Sequence, residues 1–164
     1  DSDTHVLQEA PVDTKAPIAC LGAGTGLGVV FLTPDANGRY EAFSSEGGHV
    51  EYAPRTELEQ ELLSFLIAKY TGRISVERVV SGKGIVNIYE FLRFKFPDKV
   101  HPGIDNDIMG QASEQAIIIS RHIHDNELCH QAFKLMYRAY ASTTGNLALQ
   151  YMPQGGLFIT GGII

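Results

Sequence analysis

Apolar residues first fall in short runs bounded by glycines, then at helical spacing, and then in one more short run. Residues 18–23 (IACLGA) and 27–33 (LGVVFLT) are apolar and rich in β-branched residues, which predicts two strands joined by a glycine turn. Asp35-Ala36-Asn37-Gly38 is a second turn signal, and Arg39–Phe43 reads as a third strand, giving an antiparallel β-meander. Thr56 then opens TELEQELLSFLIAKY, where Glu59 completes a capping box. Leu58, Leu62, Leu63, Leu66 and Ile67 recur at helical spacing, with Gly72 as the stop. A short helix is predicted over Ser75–Val80 and another over Ile85–Phe94. Residues 96–109 (FPDKVHPGIDNDIM) are polar and proline-containing, so a loop is expected there. Gln111–His122 reads as a helix, Asn126–Tyr151 as one long helix, and Gly156–Thr160 as a buried strand. Strands, then helices, then a further core strand predict an α/β domain.

Composition narrows the function. Of 164 residues, 44% are hydrophobic and 20% charged, as in an ordinary globular domain. A net charge of −6 with 13 Lys+Arg and no basic run argues against a nucleic-acid partner. No apolar run reaches membrane-spanning length and no signal-peptide pattern opens the chain, so the expected location is cytoplasmic or within an organelle. Cys20 and Cys129 lack metal or redox spacing. The opening residues lack apolar periodicity, and GGLFITGGII stops in a glycine turn after a strand. The expectation is part of a longer protein, with 1–16 a connecting segment and 17–164 a partial domain.

The run GAGTGLG holds four glycines in seven residues. A dinucleotide fingerprint needs its glycines to lead from a strand into a helix, but here they lead into VVFLT. The Walker spacing is absent, and SGKGIV at 81–86 has no Ser/Thr after its lysine. What remains is a tight hairpin, either ligand-free or presenting N–H groups and the Thr25 hydroxyl to phosphate oxygens. In Glu46-Gly-Gly-His49, a carboxylate suited to adjacent sugar hydroxyls stands beside an imidazole, and the glycines would leave room for a sugar ring. The alternative is a solvated Glu46 with His49 packed nearby. Glu77, two residues after Ser75, reads from its position as ordinary helix-end electrostatics. His122, His124, Cys129 and His130 match no usual metal-ligand spacing, and His5 and His101 fall in expected loops.

Taken in order, LGAGTGLGV, SEGGHVEYAP, ISVERVVSGKGIVNIYEFL, GNLAL and GGLFITGGII resemble the bacterial-type glucokinase family from Pro17 onward. That resemblance implies a hexokinase/actin-like (ribonuclease H-like) large domain, one of two α/β domains that close over a cleft. It implies transfer of the ATP γ-phosphate to the 6-hydroxyl of glucose, with Mg²⁺ as the accompanying ion. By the same resemblance, Glu46, His49 and Glu77 contact glucose hydroxyls. Gly24, Thr25 and Gly26 fall on the phosphate hairpin, and Gly161 and Gly162 on the nucleotide-side glycine turn. Related sugar kinases with a cysteine-rich zinc motif are disfavoured by two isolated cysteines. The family's catalytic Asp lies in an Asn-Asp pair upstream of everything here. Asn106-Asp107 follows the sugar motif instead of preceding it, so no catalytic base is expected within the chain. Two alternatives stay open: a non-catalytic sugar- or nucleotide-binding module derived from a kinase, and a kinase for another hexose. A homodimer is the one protein partner considered.

Overall fold

The computed structural model describes residues 4–163. Residues 1–3 of the expected connecting segment, and Ile164, lie outside the described residues. Four strands form one sheet in the order β3-β2-β1-β4: β1 (Ile18–Ala23), β2 (Leu27–Pro34), β3 (Tyr40–Ser45) and β4 (Gly156–Thr160). The meander β1-β2-β3 is antiparallel, as the glycine and Asp-Ala-Asn-Gly turns predict, while β4 joins β1 in parallel. A parallel neighbour requires a long crossover, and the whole helical segment between β3 and β4 supplies it.

Alternation along β1 buries Ala19, Leu21 and Ala23 on the face toward the helices. The long helix among these, residues Glu127–Tyr151, crosses that face. Its Tyr140 hydroxyl donates to the Leu21 carbonyl at 3.2 Å or the Thr160 carbonyl at 3.1 Å, spanning β1 and β4. Numbered in chain order, the helices are α1 (Glu57–Tyr70), α2 (Gly82–Lys95), α3 (Pro102–Gly110), α4 (Gln115–Arg121) and α5 (Glu127–Tyr151). Leu62, Leu66, Ile85, Ile88, Leu92, Leu128 and Met136 join β1 and β2 residues in one core. Among the described residues, no helix is long and apolar enough to cross a membrane.

Several expectations need correction. The expected loop 96–109 contains a helix, α3, that starts with Pro102 at its first position. The His101 ring accepts from the Ile104 N–H at 3.4 Å, so His101 caps that helix instead of lying idle. Helical spacing was hidden because one inward position is Asp105. It is buried, bonded to Arg93 at 2.8 Å and to the Tyr89 hydroxyl at 3.2 Å. Helix α1 ends at Tyr70, two residues before Gly72, and Thr71 between them takes the left-handed region at φ 51°. Helix α4 begins at Gln115, four residues later than read. Strand β4 is not buried along its length, since Phe158 and Ile159 are exposed.

Candidate functional site

The hairpin tip, Gly24-Thr25-Gly26, sits where β1 turns into β2. The Gly24 N–H is used inside the turn, donating to the Gly26 carbonyl at 2.8 Å. Among the described residues, the N–H groups of Thr25 and Gly26 have no protein acceptor, and Thr25 is exposed. The tip is fixed from behind by Gly82 at the start of α2, whose N–H donates to the Gly24 carbonyl at 2.9 Å. Gly161, at φ 119°, presses on the end of β1. A Cβ there would lie 1.9 Å from the Ala23 carbonyl oxygen, so only glycine fits. Gly162 follows in open space. The glycine turn after β4, the hairpin and the start of α2 therefore meet at one end of the sheet. Such a convergence of backbone donors suits an anion.

Glu46 precedes, and His49 ends, a 3-10 turn, Gly47–His49, that leaves β3. A Cβ at Gly48 would stand 2.0 Å from the Leu27 carbonyl oxygen, and one at Gly47 would stand 2.9 Å from the Val29 Cβ. The two glycines thus let the turn pack directly on β2, a packing role that sequence reasoning had not given them. Ser45 secures the turn by donating to the Val29 carbonyl at 3.2 Å and accepting from the Gly47 N–H at 3.2 Å. The side chains of Glu46 and His49 project outward, 92% and 54% exposed, with Nδ1 and Oε2 a loose 3.8 Å apart. Neither is committed to the fold.

Glu77 is different. It lies on a second 3-10 turn, Val76–Arg78, and its Oε2 accepts from the Leu27 N–H at 2.9 Å. Glu77 stands in the first turn of that segment, as the helix-end reading has it, and in addition ties to the hairpin's exit. The two turns are stitched together. Val76 N–H donates to the Val50 carbonyl at 2.8 Å, Tyr52 N–H to the Ile74 carbonyl at 2.9 Å, and Arg73 to the His49 carbonyl at 2.5 Å. Leu27 is thus a shared point, with its N–H on Glu77 and its carbonyl under Gly48.

Sequence analysis had not singled out three of these positions. Ser81 caps α2 by accepting from the Gly84 N–H at 2.9 Å, and it donates to the Glu77 carbonyl at 2.7 Å. Buried Asn87 donates to the Arg78 carbonyl at 2.9 Å and accepts from Lys69 and the Tyr70 hydroxyl. A polar residue among Ile85, Ile88 and Leu92 was the available signal for Asn87, and a serine opening a helix was the signal for Ser81. Leu27 acts through its backbone, and no side-chain pattern announces that.

The histidines and cysteines do not converge. Among the described residues no three His, Cys, Asp or Glu side chains group as metal ligands. His122 pairs with Asp125 at 3.0 Å, and His130 is exposed on α5. Burial pushes the Cys129 thiol up to about 12, helped by the Asp125 charge, and it raises Cys20 as well. A cleft of about 220 Å³ runs between the Ser45–Ala53 segment and α5, lined by Glu46, Tyr52, Asn146 and Gln150 among others. Neither Glu77, His49 nor the hairpin faces it, so it adjoins the candidate site without being it.

A family model described as glucokinase matches residues 1–164. The glucokinase of Synechocystis sp. is 44% identical over 173 residues, covering 98% of this chain and 49% of that protein. The chain thus spans about half the length of the curated relatives it matches. Among solved structures, the glucokinase of an Antarctic psychrotroph superposes with a TM-score of 0.72 at 30% identity, over 95% of this chain and 45% of that one. The glucokinase of Balamuthia mandrillaris, solved with glucose, gives 0.68 at 24% identity over 96% and 41%, a likeness of fold alone.

Proposed function

The chain belongs to the glucokinase family, and on that premise we propose that it carries the sugar- and phosphate-binding half of a kinase phosphorylating D-glucose at its 6-hydroxyl with ATP. Its mixed sheet and helices are the hexokinase/actin-like large-domain architecture of those relatives. One observation supports the reading most: a single residue, Leu27, joins the glycine hairpin to both the Glu46–His49 turn and the Glu77 turn. A phosphate-holding element and a hydroxyl-holding element are thereby built as one unit, which phosphoryl transfer between a nucleotide and a sugar requires.

In this reading Glu46, His49 and one oxygen of Glu77 receive and orient the sugar hydroxyls. The Thr25 and Gly26 N–H groups and the Thr25 hydroxyl face a phosphate. Gly161 and Gly162 let the nucleotide side of the site approach the backbone. Mg²⁺, when bound, neutralises phosphate charge, and its ligands would be phosphate oxygens and water. We assign no general base to Asn106 or Asp107, which are exposed on α3, a helix packed against α4.

The test is a coupled assay of glucose 6-phosphate formation on the full-length protein carrying this sequence. We expect ATP- and glucose-dependent turnover. His49→Ala and Glu46→Ala should each raise the glucose KM about tenfold or more, by loss of hydrogen bonds to a desolvated hydroxyl. Absence of turnover with glucose, or both variants keeping the parent KM, would refute the reading.

A further inference from the structure

We propose that Glu77 is shared between the two halves of the site, one carboxylate oxygen fixing the hairpin while the other takes a sugar hydroxyl. Hairpin geometry then sets sugar affinity. The proposal rests on the sugar site described above and concerns a positioning role that the site residues alone do not give.

Three observations carry it. Oε2 of Glu77 is committed to the Leu27 N–H at 2.9 Å, whereas among the described residues Oε1 has no protein partner. A carboxylate accepts through both oxygens, so the bonded one fixes the orientation of the other. Next, the glycine at position 26 leaves free the space this carboxylate occupies. A Cβ at position 26 would lie 2.6 Å from Oε2 and 3.3 Å from Cδ, but 3.9 Å from Oε1. A side chain at position 26 would therefore push the Glu77 carboxylate out of its present rotamer, starting from the oxygen that faces the hairpin. Finally, the Glu77 backbone cannot drift to compensate. Its carbonyl is held by the buried Ser81 hydroxyl at 2.7 Å, and the next carbonyl, of Arg78, by buried Asn87 at 2.9 Å. A hairpin substitution must then be absorbed by the side chain, and Oε1 moves with it. The effect runs both ways, because occupancy of Oε1 by sugar holds Oε2 on Leu27.

The experiment measures glucose and ADP binding separately by calorimetry on the full-length protein, each ligand without the other, with circular dichroism to confirm folding. Gly26→Ala touches no sugar in this arrangement, yet it should weaken glucose binding tenfold or more. Glu77→Gln retains a carbonyl oxygen for the Leu27 N–H, so ADP should bind within about twofold of the parent while glucose weakens tenfold. Glu77→Ala removes both contacts and should weaken both ligands. Should Gly26→Ala fail to fold, the Gln and Ala variants at 77 decide the matter by their different effects on ADP. Glucose binding unchanged in Gly26→Ala, or equal ADP binding by the Gln and Ala variants, overturns the shared role. A parent protein that binds ADP but no glucose overturns the sugar-site reading itself, and this proposal with it.

Discussion

Gly48→Ala separates two explanations of the Glu-Gly-Gly-His turn. If the glycines only made room for a sugar, an added methyl would cost sugar affinity and leave stability intact. The structure instead places the new Cβ 2.0 Å from a backbone oxygen, that of Leu27, where real Cβ atoms essentially never come closer than 3.0 Å. The turn must therefore lift off β2 by about 1 Å, and no flexible side chain is available to yield. Overpacking of this kind costs about 1–3 kcal/mol, which for a domain of this size lowers Tm by roughly 2–12 °C. The same displacement carries Glu46 and His49 away from Glu77, and misplacement on this scale costs on the order of 10²-fold in turnover. Thermal melts and coupled kinetics on the full-length protein measure both. A variant with an unshifted Tm and lost sugar affinity would refute the packing argument and restore the room-making one. Gly47→Ala is the control, because its Cβ meets the Val29 side chain at 2.9 Å and should cost less than Gly48→Ala.

Asp105→Ala strands the Arg93 guanidinium and the Tyr89 hydroxyl between α2 and α3. It should cost about 2 kcal/mol in denaturant unfolding, discounted because Arg93 is one-third exposed, and Asp105→Asn should recover part of that loss. Thiol labelling of the folded protein near pH 8 should modify half-buried Cys20 before fully buried Cys129, with Cys129 reacting only on unfolding. Because burial raises the Cys129 thiol from 9.0 to about 12, the neutral thiol is favoured in the fold. Its contribution is complete below pH 9 and is lost as pH rises toward about 12, so Cys129→Ala should flatten the fall in Tm over that window. An unchanged slope would refute the assignment.

The meander, α1 and α5 were legible because their signals are local. Glycines bound β1 and β2, a capping box opens α1, and Asn126 caps α5 by accepting from the Cys129 N–H at 3.0 Å. Helix α3 was not legible, because Asp105 occupies an inward position whose partners, Tyr89 and Arg93, come from another helix. A polar core residue reads as surface until its partners are known. The candidate site divides the same way. The residues Glu46, His49 and Glu77 stood in recognisable motifs, as did the hairpin glycines. What joins them runs through main-chain groups at Leu27 and through the buried polar side chains Ser81 and Asn87, which leave almost no trace in a pattern of side chains.

The meeting point at Leu27 bears on how such a chain tolerates change over generations. A link made by a peptide group is inherited whatever side chain sits on it. Position 27 can exchange one apolar residue for another, within the room its buried pocket allows, without loosening either turn. Proline is the exception, since it alone lacks the N–H that Glu77 accepts. The burden of remaining constant passes to the partners instead: Gly26 and Gly48, which must stay small, and Glu77, which must keep an acceptor in place.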